Sequence, residues 1–366
     1  MNYWCRLIII TLAVLFSGCA QSIKRFTKQG VVIRKNLHTI KLPGAEKQEI
    51  NIQYLGCSGF LISQNKEAVL IDPFFSNSRV GRVALSLVSK KIRPDVGLLS
   101  SLKDSINIDY SFIKAVLITH THYDHVLDVP YIYNNFLPAE KPFIYGSSSL
   151  NTLIKKLIPD STKIKNLDAF LSDYYHEGQW VNINQHIRFL PIASDHSPHF
   201  HMIKFFDGEV CSPIEPEEYL QGTKVQRWAE GRNIAYLIEF TQSDTFRIFI
   251  QSAATSPNHG FPPHSYIEKK RIHLALLCMA SFEYVCEYPA GIISYLKPQH
   301  IMVEHWEDFF HSYKKRLKKG FKIVRGTNGK NFIPAIERSI KKYDTINNPK
   351  EKYTIAEPLT KIKIKY

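Results

Sequence analysis

Cysteine is scarce: six in 366 residues, with no C-x-x-C pair among them. That spacing rules out the usual structural zinc knuckle, and the count is too low for a dense disulfide framework. No apolar stretch is long enough for a convincing spanning helix; the longest, Leu7–Phe16, falls well short. Internal repeats and low-complexity tracts are missing, so a solenoid or a disordered scaffold is excluded. No serine or cysteine stands in a recognisable nucleophile elbow, which turns the search for chemistry toward an activated water. Acid is in deficit, with 33 Asp and Glu against 47 Lys and Arg. Nine of the resulting +14 charges fall in the last 66 residues, where sixteen basic residues face seven acidic ones. Such a surplus suits an anionic membrane surface, nucleic acid or a merely solvated face.

What the chain does contain is concentrated in Val116–His125, V-L-I-T-H-T-H-Y-D-H. Ala115–Ile118 is a short aliphatic run that reads as a buried parallel strand. Directly after it come four candidate metal ligands in six residues: His120, His122, Asp124 and His125. Ligands at the carboxyl end of a strand stand where open α/β sheets place their sites. On an extended backbone His120 and His122 point to one side, Asp124 continues the alternation and His125 turns away. The loop could therefore serve two neighbouring ions.

This stretch resembles the H-x-H-x-D-H signature of the metallo-β-lactamase-fold hydrolases. The resemblance runs over roughly residues 50–310 and is nearest to the lactonase and N-acyl-phosphatidylethanolamine phospholipase D-like branches. It implies an α/β fold, a four-layer αββα sandwich with the metals between strand ends. Ile50–Leu55, the Gly56-Cys57-Ser58-Gly59 turn, Phe60–Ser63 and Ala68–Ile71 resemble the opening of that fold. Asp72, at the end of the third strand, would then orient a ligating histidine through a hydrogen bond. His196, in P-I-A-S-D-H, matches the third motif, and His305, after the strand-like Pro298–Glu304, matches the last. His199 and His201 are pocket or loop histidines, and His300 is structural. The segment 200–232 is expected to cover the cleft. One motif departs from the pattern: Ser252, after Phe246–Ile250, stands where the family carries an Asp bridging two metals. His259 and His264 are near enough in sequence to compensate.

The start of the chain reads as an export signal over 1–18, with Arg6, the apolar stretch and Ser17-Gly18 before Cys19. Cys19 resembles the lipidated cysteine of bacterial lipoproteins, with Phe16 where Leu is usual. That likeness implies membrane attachment through a lipid anchor at the bacterial cell envelope, and Ala20 beside the Cys favours the outer membrane. Residues 19–48 read as a tether, 49–343 as the folded domain and 344–366 as a basic C-terminal tail. Cys57, Cys211, Cys278 and Cys286 are left to pair in two disulfides or to remain buried thiols.

The resemblance implies one ion on His120, His122 and His196 and a second on Asp124, His125 and His305, with Asp124 and His196 central to catalysis. Imidazole and carboxylate ligands suit zinc first and admit manganese or iron. The expected activity is hydrolysis by a zinc-bound water of a small or lipid-derived anionic substrate, a phosphodiester or a lactone. The rival expectation is a lipoprotein whose site has decayed at Ser252 into a metal-holding binding module. Nucleic acid fits the charge but not the export signal.

Overall fold

The computed structural model describes residues 21–366 apart from 29–30, 45–47, 90, 106–107, 200–201 and 243. The expected export signal and Cys19 lie outside the described residues, as does His201. Among the described residues no helix is long and apolar enough to cross a membrane.

In chain order, β1 (Gln21–Ser22) and α1 (Lys24–Lys28) lead into β2 (Ile33–Arg34) and β3 (Leu37–Lys41). The expected opening strands follow as β4 (Glu49–Gly56), β5 (Gly59–Gln64) and β6 (Glu67–Ile71). Helices α2 (Val80–Leu85) and α3 (Val96–Ser105) precede β7 (Ile113–Leu117), the short aliphatic run. Then come α4 (Tyr123–Val126), α5 (Val129–Asn135), β8 (Phe143–Gly146), α6 (Ser148–Ile154) and β9 (Ile164–Asn166). The second half runs through β10 (Val181–Asn182), β11 (Ile187–Ser194), α7 (Pro216–Gln221), β12 (Asn233–Phe240) and β13 (Phe246–Gln251). It continues with α8 (His264–Lys269), β14 (Leu274–Cys278), α9 (Ala290–Leu296), β15 (His300–Glu304) and α10 (Tyr313–Lys319). The last elements are β16 (Lys322–Ile323), α11 (Gly329–Tyr343), β17 (Tyr353–Ala356) and β18 (Lys361–Lys365).

These strands form two eight-stranded sheets, ordered β3-β18-β4-β5-β6-β7-β8-β9 and β10-β11-β12-β13-β14-β15-β17-β2. Strands β6 to β9 run parallel in the first, as do β13, β14, β15, β17 and β2 in the second. Central strands of a covered sheet are buried on both faces and so read as unbroken apolar runs. L-A-L-L-C of β14 is such a run, buried at every position. The two sheets face each other. Tyr145 of β8 packs on Phe189 of β11 with ring centres 5.1 Å apart, and Tyr236 of β12 donates to the Ile118 carbonyl at 2.6 Å. With helices on the outside, this is the expected four-layer αββα sandwich.

The expected boundaries need correction at both ends. Residues 19–48 are not a plain tether, since β2 joins the second sheet and β3 the first. Residues 344–366 are not a peripheral tail either. Strand β18 lies between β3 and β4, parallel to one and antiparallel to the other. The reason is the alternation K-I-K-I-K: Ile362 and Ile364 are buried while Lys361, Lys363 and Lys365 stay partly exposed. Each buried isoleucine contributes roughly 1.5–3 kcal/mol, which outweighs the exposed charges. The four cysteines are free thiols, Cys57 and Cys278 buried as expected of unpaired ones, but Cys211 and Cys286 exposed.

Candidate metal centre

All the site positions hang from carboxyl ends of strands. Asp72 follows β6, the His120–His125 loop follows β7, and His196 follows β11. Ser252 and His305 come directly after the parallel strands β13 and β15. Asp72 (φ 40°) and His305 (φ 51°) adopt the left-handed backbone that non-glycine residues avoid. Each such turn costs about 1–2 kcal/mol, and here it re-aims a side chain just as the strand stops.

The loop after β7 is pinned from the opposite half of the molecule. Ile234 N donates to the Thr119 carbonyl at 2.9 Å, and Thr121 N donates to the Glu230 carbonyl at 2.9 Å. His122 then stands at the N-cap position of α4, which carries Asp124 and His125 in its first turns. Part of the segment expected as a cover reaches the site: Phe205 lines the cleft, and the Ala229 and Glu230 carbonyls accept Thr121 of the loop.

The geometry sorts the expected ligands into two groups, His120–His122–His196 and Asp124–His125–His305. Within each, one potential ligand atom per residue lies within 4.8 Å of the others. The first group is nearly equilateral, with ring centres 4.8, 4.9 and 5.0 Å apart. His120 and His125, with ring centres 3.8 Å apart, join the two groups. His199 stands at the rim, 4.7 Å from the His196 ring and 5.3 Å from that of His122.

The residues fit a metal. Nε2 of both His120 and His122 is buried without a hydrogen-bond partner, as is Nδ1 of His305. Orphaned buried donors and acceptors are rare because each costs about 1–3 kcal/mol; a cation would relieve that cost. His196 presents Nδ1 to the Ser197 carbonyl at 2.6 Å, which leaves Nε2 as its ligand atom. Burial first, then the neighbouring imidazoles, holds His120 well below the usual histidine pKa. Burial and His199 bring His122 down to about 3. Both are therefore neutral at pH 7, the form that binds metal.

The second group is charged and braced. Burial pushes Asp124 upward, but His125 and His305 more than offset it and keep the carboxylate ionised. Asp124 Oδ2 lies 3.4 Å from His305 Nε2 and 3.8 Å from His125 Nε2. Burial lowers His125, yet the charges of Asp72 and Asp124 outweigh it and raise its pKa. Asp72 Oδ2 is 2.8 Å from His125 Nδ1, and Asp72 Oδ1 accepts Thr119 N at 2.9 Å. So Asp72 orients a candidate ligand and fixes the loop at once.

Several supporting residues escape sequence reasoning. Glu307, fully buried, accepts Tyr54 Oη and Cys57 N, each at 2.6 Å. The Tyr54 hydroxyl in turn accepts the His305 amide at 3.1 Å. This chain ties the β4–β5 turn to the turn that carries His305. The only local sign was a carboxylate two residues past the histidine.

Ser252 is buried at the cleft with an unpartnered Oγ. Neither expected substitute comes near: His259 is exposed outside the cleft, and His264 pairs with Glu268 at 2.8 Å on α8. The cleft itself is narrow, about 80 Å³, and is lined by Phe205, Phe309, Phe310, Cys278 and Arg325 besides the ligand residues.

Residues 53–141 match the family model of the metallo-beta-lactamase superfamily. No curated protein sequence matches the chain. Among solved structures it is similar to Igni18, a metallo hydrolase from the archaeon Ignicoccus hospitalis, at 13% identity and TM-score 0.46, covering 87% of this chain and 100% of that one. A possible metal-dependent hydrolase from Veillonella parvula is similar at 12% identity and TM-score 0.46, over 85% and 98% of the two chains. CmlA, a diiron β-hydroxylase from Streptomyces venezuelae, is similar at 12% identity and TM-score 0.42, over 88% of this chain and 55% of its own.

Proposed function

We propose that this metallo-β-lactamase-superfamily chain is a metal-dependent hydrolase that takes zinc at His120, His122 and His196 and cleaves an anionic phosphodiester. The observation that carries the reading is the pair of buried, unpartnered Nε2 atoms on His120 and His122 within a closed three-imidazole group. A divalent ion held there would supply an acidified water, of pKa about 7, and a Lewis acid for the oxygen under attack. A ligand set of three imidazoles would suit a catalytic rather than a structural zinc site. Asp124, ionised in the second group and lining the same cleft as His122 and His196, would be the base that takes the proton of the attacking water. Arg325 is the one cation lining the cleft among the described residues and favours a phosphodiester over a neutral lactone.

A second reading is supported by Ser252. A serine in place of a bridging carboxylate lowers the negative charge available to two ions, and it suits a protein that holds metal without turnover. Metal analysis of the purified chain, with turnover of bis-p-nitrophenyl phosphate, a homoserine lactone and a thioester, separates the two. The hydrolase predicts bound zinc and turnover of at least one substrate that His196→Ala removes. Bound zinc with no turnover of any substrate would favour the binding module.

A further inference from the structure

Beside the metal cleft lies a second pocket of about 840 Å³, roughly ten times the size of the cleft. Arg79, Arg82, Lys91 and Arg93 line it from the segment between β6 and α3, and Lys315 and Arg325 line it from the far end of the chain. No acidic side chain is among its lining residues. Among the described residues, Arg79, Arg82, Lys91, Arg93 and Lys315 form no ion pair with an acid, whereas Arg325 and His311 share Asp308. Asp95 lines an adjoining hollow together with Arg82 and Arg93. Five like charges around one concavity repel one another, and an anion relieves that repulsion.

Phe310 and Arg325 line both this pocket and the metal cleft, so the two adjoin with only these side chains shared between them. We propose that this basic pocket is the subsite for a second, phosphate-bearing group of the substrate, whose scissile bond reaches into the narrow cleft. The proposal rests on the hydrolase reading for its link to the reaction but not for the binding itself. Guanidinium groups recognise phosphate oxygens through paired N–H donors, and three arginines are at hand for that geometry. A cleft of about 80 Å³ admits only a small part of a substrate, and the remainder has the larger pocket to occupy. The phosphate could belong to a soluble molecule or to a lipid headgroup. Exposed Leu85 on the pocket wall and nearby Val88 give an apolar edge for the second case.

The test uses the full chain stripped of metal with chelator, so that the histidine groups cannot capture phosphate through an ion. Isothermal titration with inorganic pyrophosphate should show binding that weakens steeply with salt. Arg82→Gln combined with Lys315→Gln, both exposed, should weaken it at least tenfold. Lys341→Gln combined with Lys342→Gln, on α11, should change it less than twofold. No binding by the wild type, or equal losses in both pairs, would overturn the pocket. Sedimentation with phosphatidylglycerol vesicles against phosphatidylcholine vesicles distinguishes the sources. Capture by the first alone, lost with Arg82→Gln and Lys315→Gln, assigns a headgroup; pyrophosphate binding without capture assigns a soluble phosphate. Pyrophosphate binding by a chain that hydrolyses nothing would keep the subsite and sink the hydrolase.

Discussion

The two candidate ligand groups touch each other, yet they are held in opposite ways. The His120–His122–His196 group has no carboxylate, and the buried Nε2 atoms of His120 and His122 have no partners. The Asp124–His125–His305 group already has a partial counterbalance: Asp124 faces two histidines, and Asp72 braces one of them. An ion entering the first group gives up no hydrogen bond. An ion entering the second must break the Asp124–His305 contact and compete with the carboxylates that raise the pKa of His125. The difference teaches that charge alone does not rank metal sites. The uncharged group is the one whose unmet valence an ion satisfies most cheaply, so it should load first.

The largest effect expected to test that ranking is His122→Ala. Removing a ligand should cost more than the roughly 10–100-fold typical of a supporting residue, so zinc retention and turnover should both fall by more than about 100-fold. If zinc content stays at the wild-type level, the second group is the primary site and the ranking is reversed. Next comes Asp72→Asn, which keeps the shape and an oxygen for Thr119 N but loses the charge and the second acceptor oxygen facing His125. It should weaken metal binding by about 10–100-fold, read by competition with a chromogenic chelator; an unchanged affinity would reduce Asp72 to a turn residue. Ser252→Asp sharpens the comparison further. Zinc content should rise from near one equivalent toward two, because the added anion offsets repulsion between dications. Without metal the same buried carboxylate stands beside Asp124, and stability should drop by about 1–3 kcal/mol. A variant with wild-type zinc content and wild-type melting would remove Ser252 from the site.

The smallest effect comes from a histidine outside both groups. His300 opens β15, the strand that His305 follows, and its Nε2 pairs with Thr354 Oγ1 at 2.9 Å. Burial, then the charges of His38, Lys352 and Arg34, brings its pKa down to about 3. A depressed histidine adds stability above its unfolded value near 6.5, and that stability is lost as pH falls from there toward about 3. His300→Gln should therefore flatten the acid dependence of urea unfolding between pH 6.5 and 4.5 by about 1.4 kcal/mol per pH unit. An unchanged slope in chelated protein would mean that the acid sensitivity belongs to the ligand histidines instead.

The same contrast explains what could be read from sequence. Four ligands of the site sit within six residues after one strand, so the signal was local and strong. His305 stands alone and His196 shares its loop with His199 and His201, so only likeness to a family pattern picked the two out. The brace by Glu307 joins residues about 250 positions apart and has no local signature. The basic pocket shows the same limit. Its cations at 79, 82, 91 and 93 lie in a stretch without any acid from 73 to 94, yet only the fold brings Lys315 beside them. The tail was misread because its lysines were counted as charge, while its isoleucines at alternate positions were describing a strand with one wet face.

That last strand also sets the order in which the molecule can be made. In β18, Lys361 pairs with Gln53 of β4 and Leu37 of β3, so the ribosome has emitted over 300 further residues before either finds its neighbour. Until then β3 and β4 are open edges, exposed to the wrong pairings that slow long-range sheets and feed aggregation. The histidine loop, complete in the chain by residue 125, thus waits on the final few residues for the sheet beneath it to close. A nascent chain halted before 361 would already carry all six candidate ligands with no finished frame to hold them.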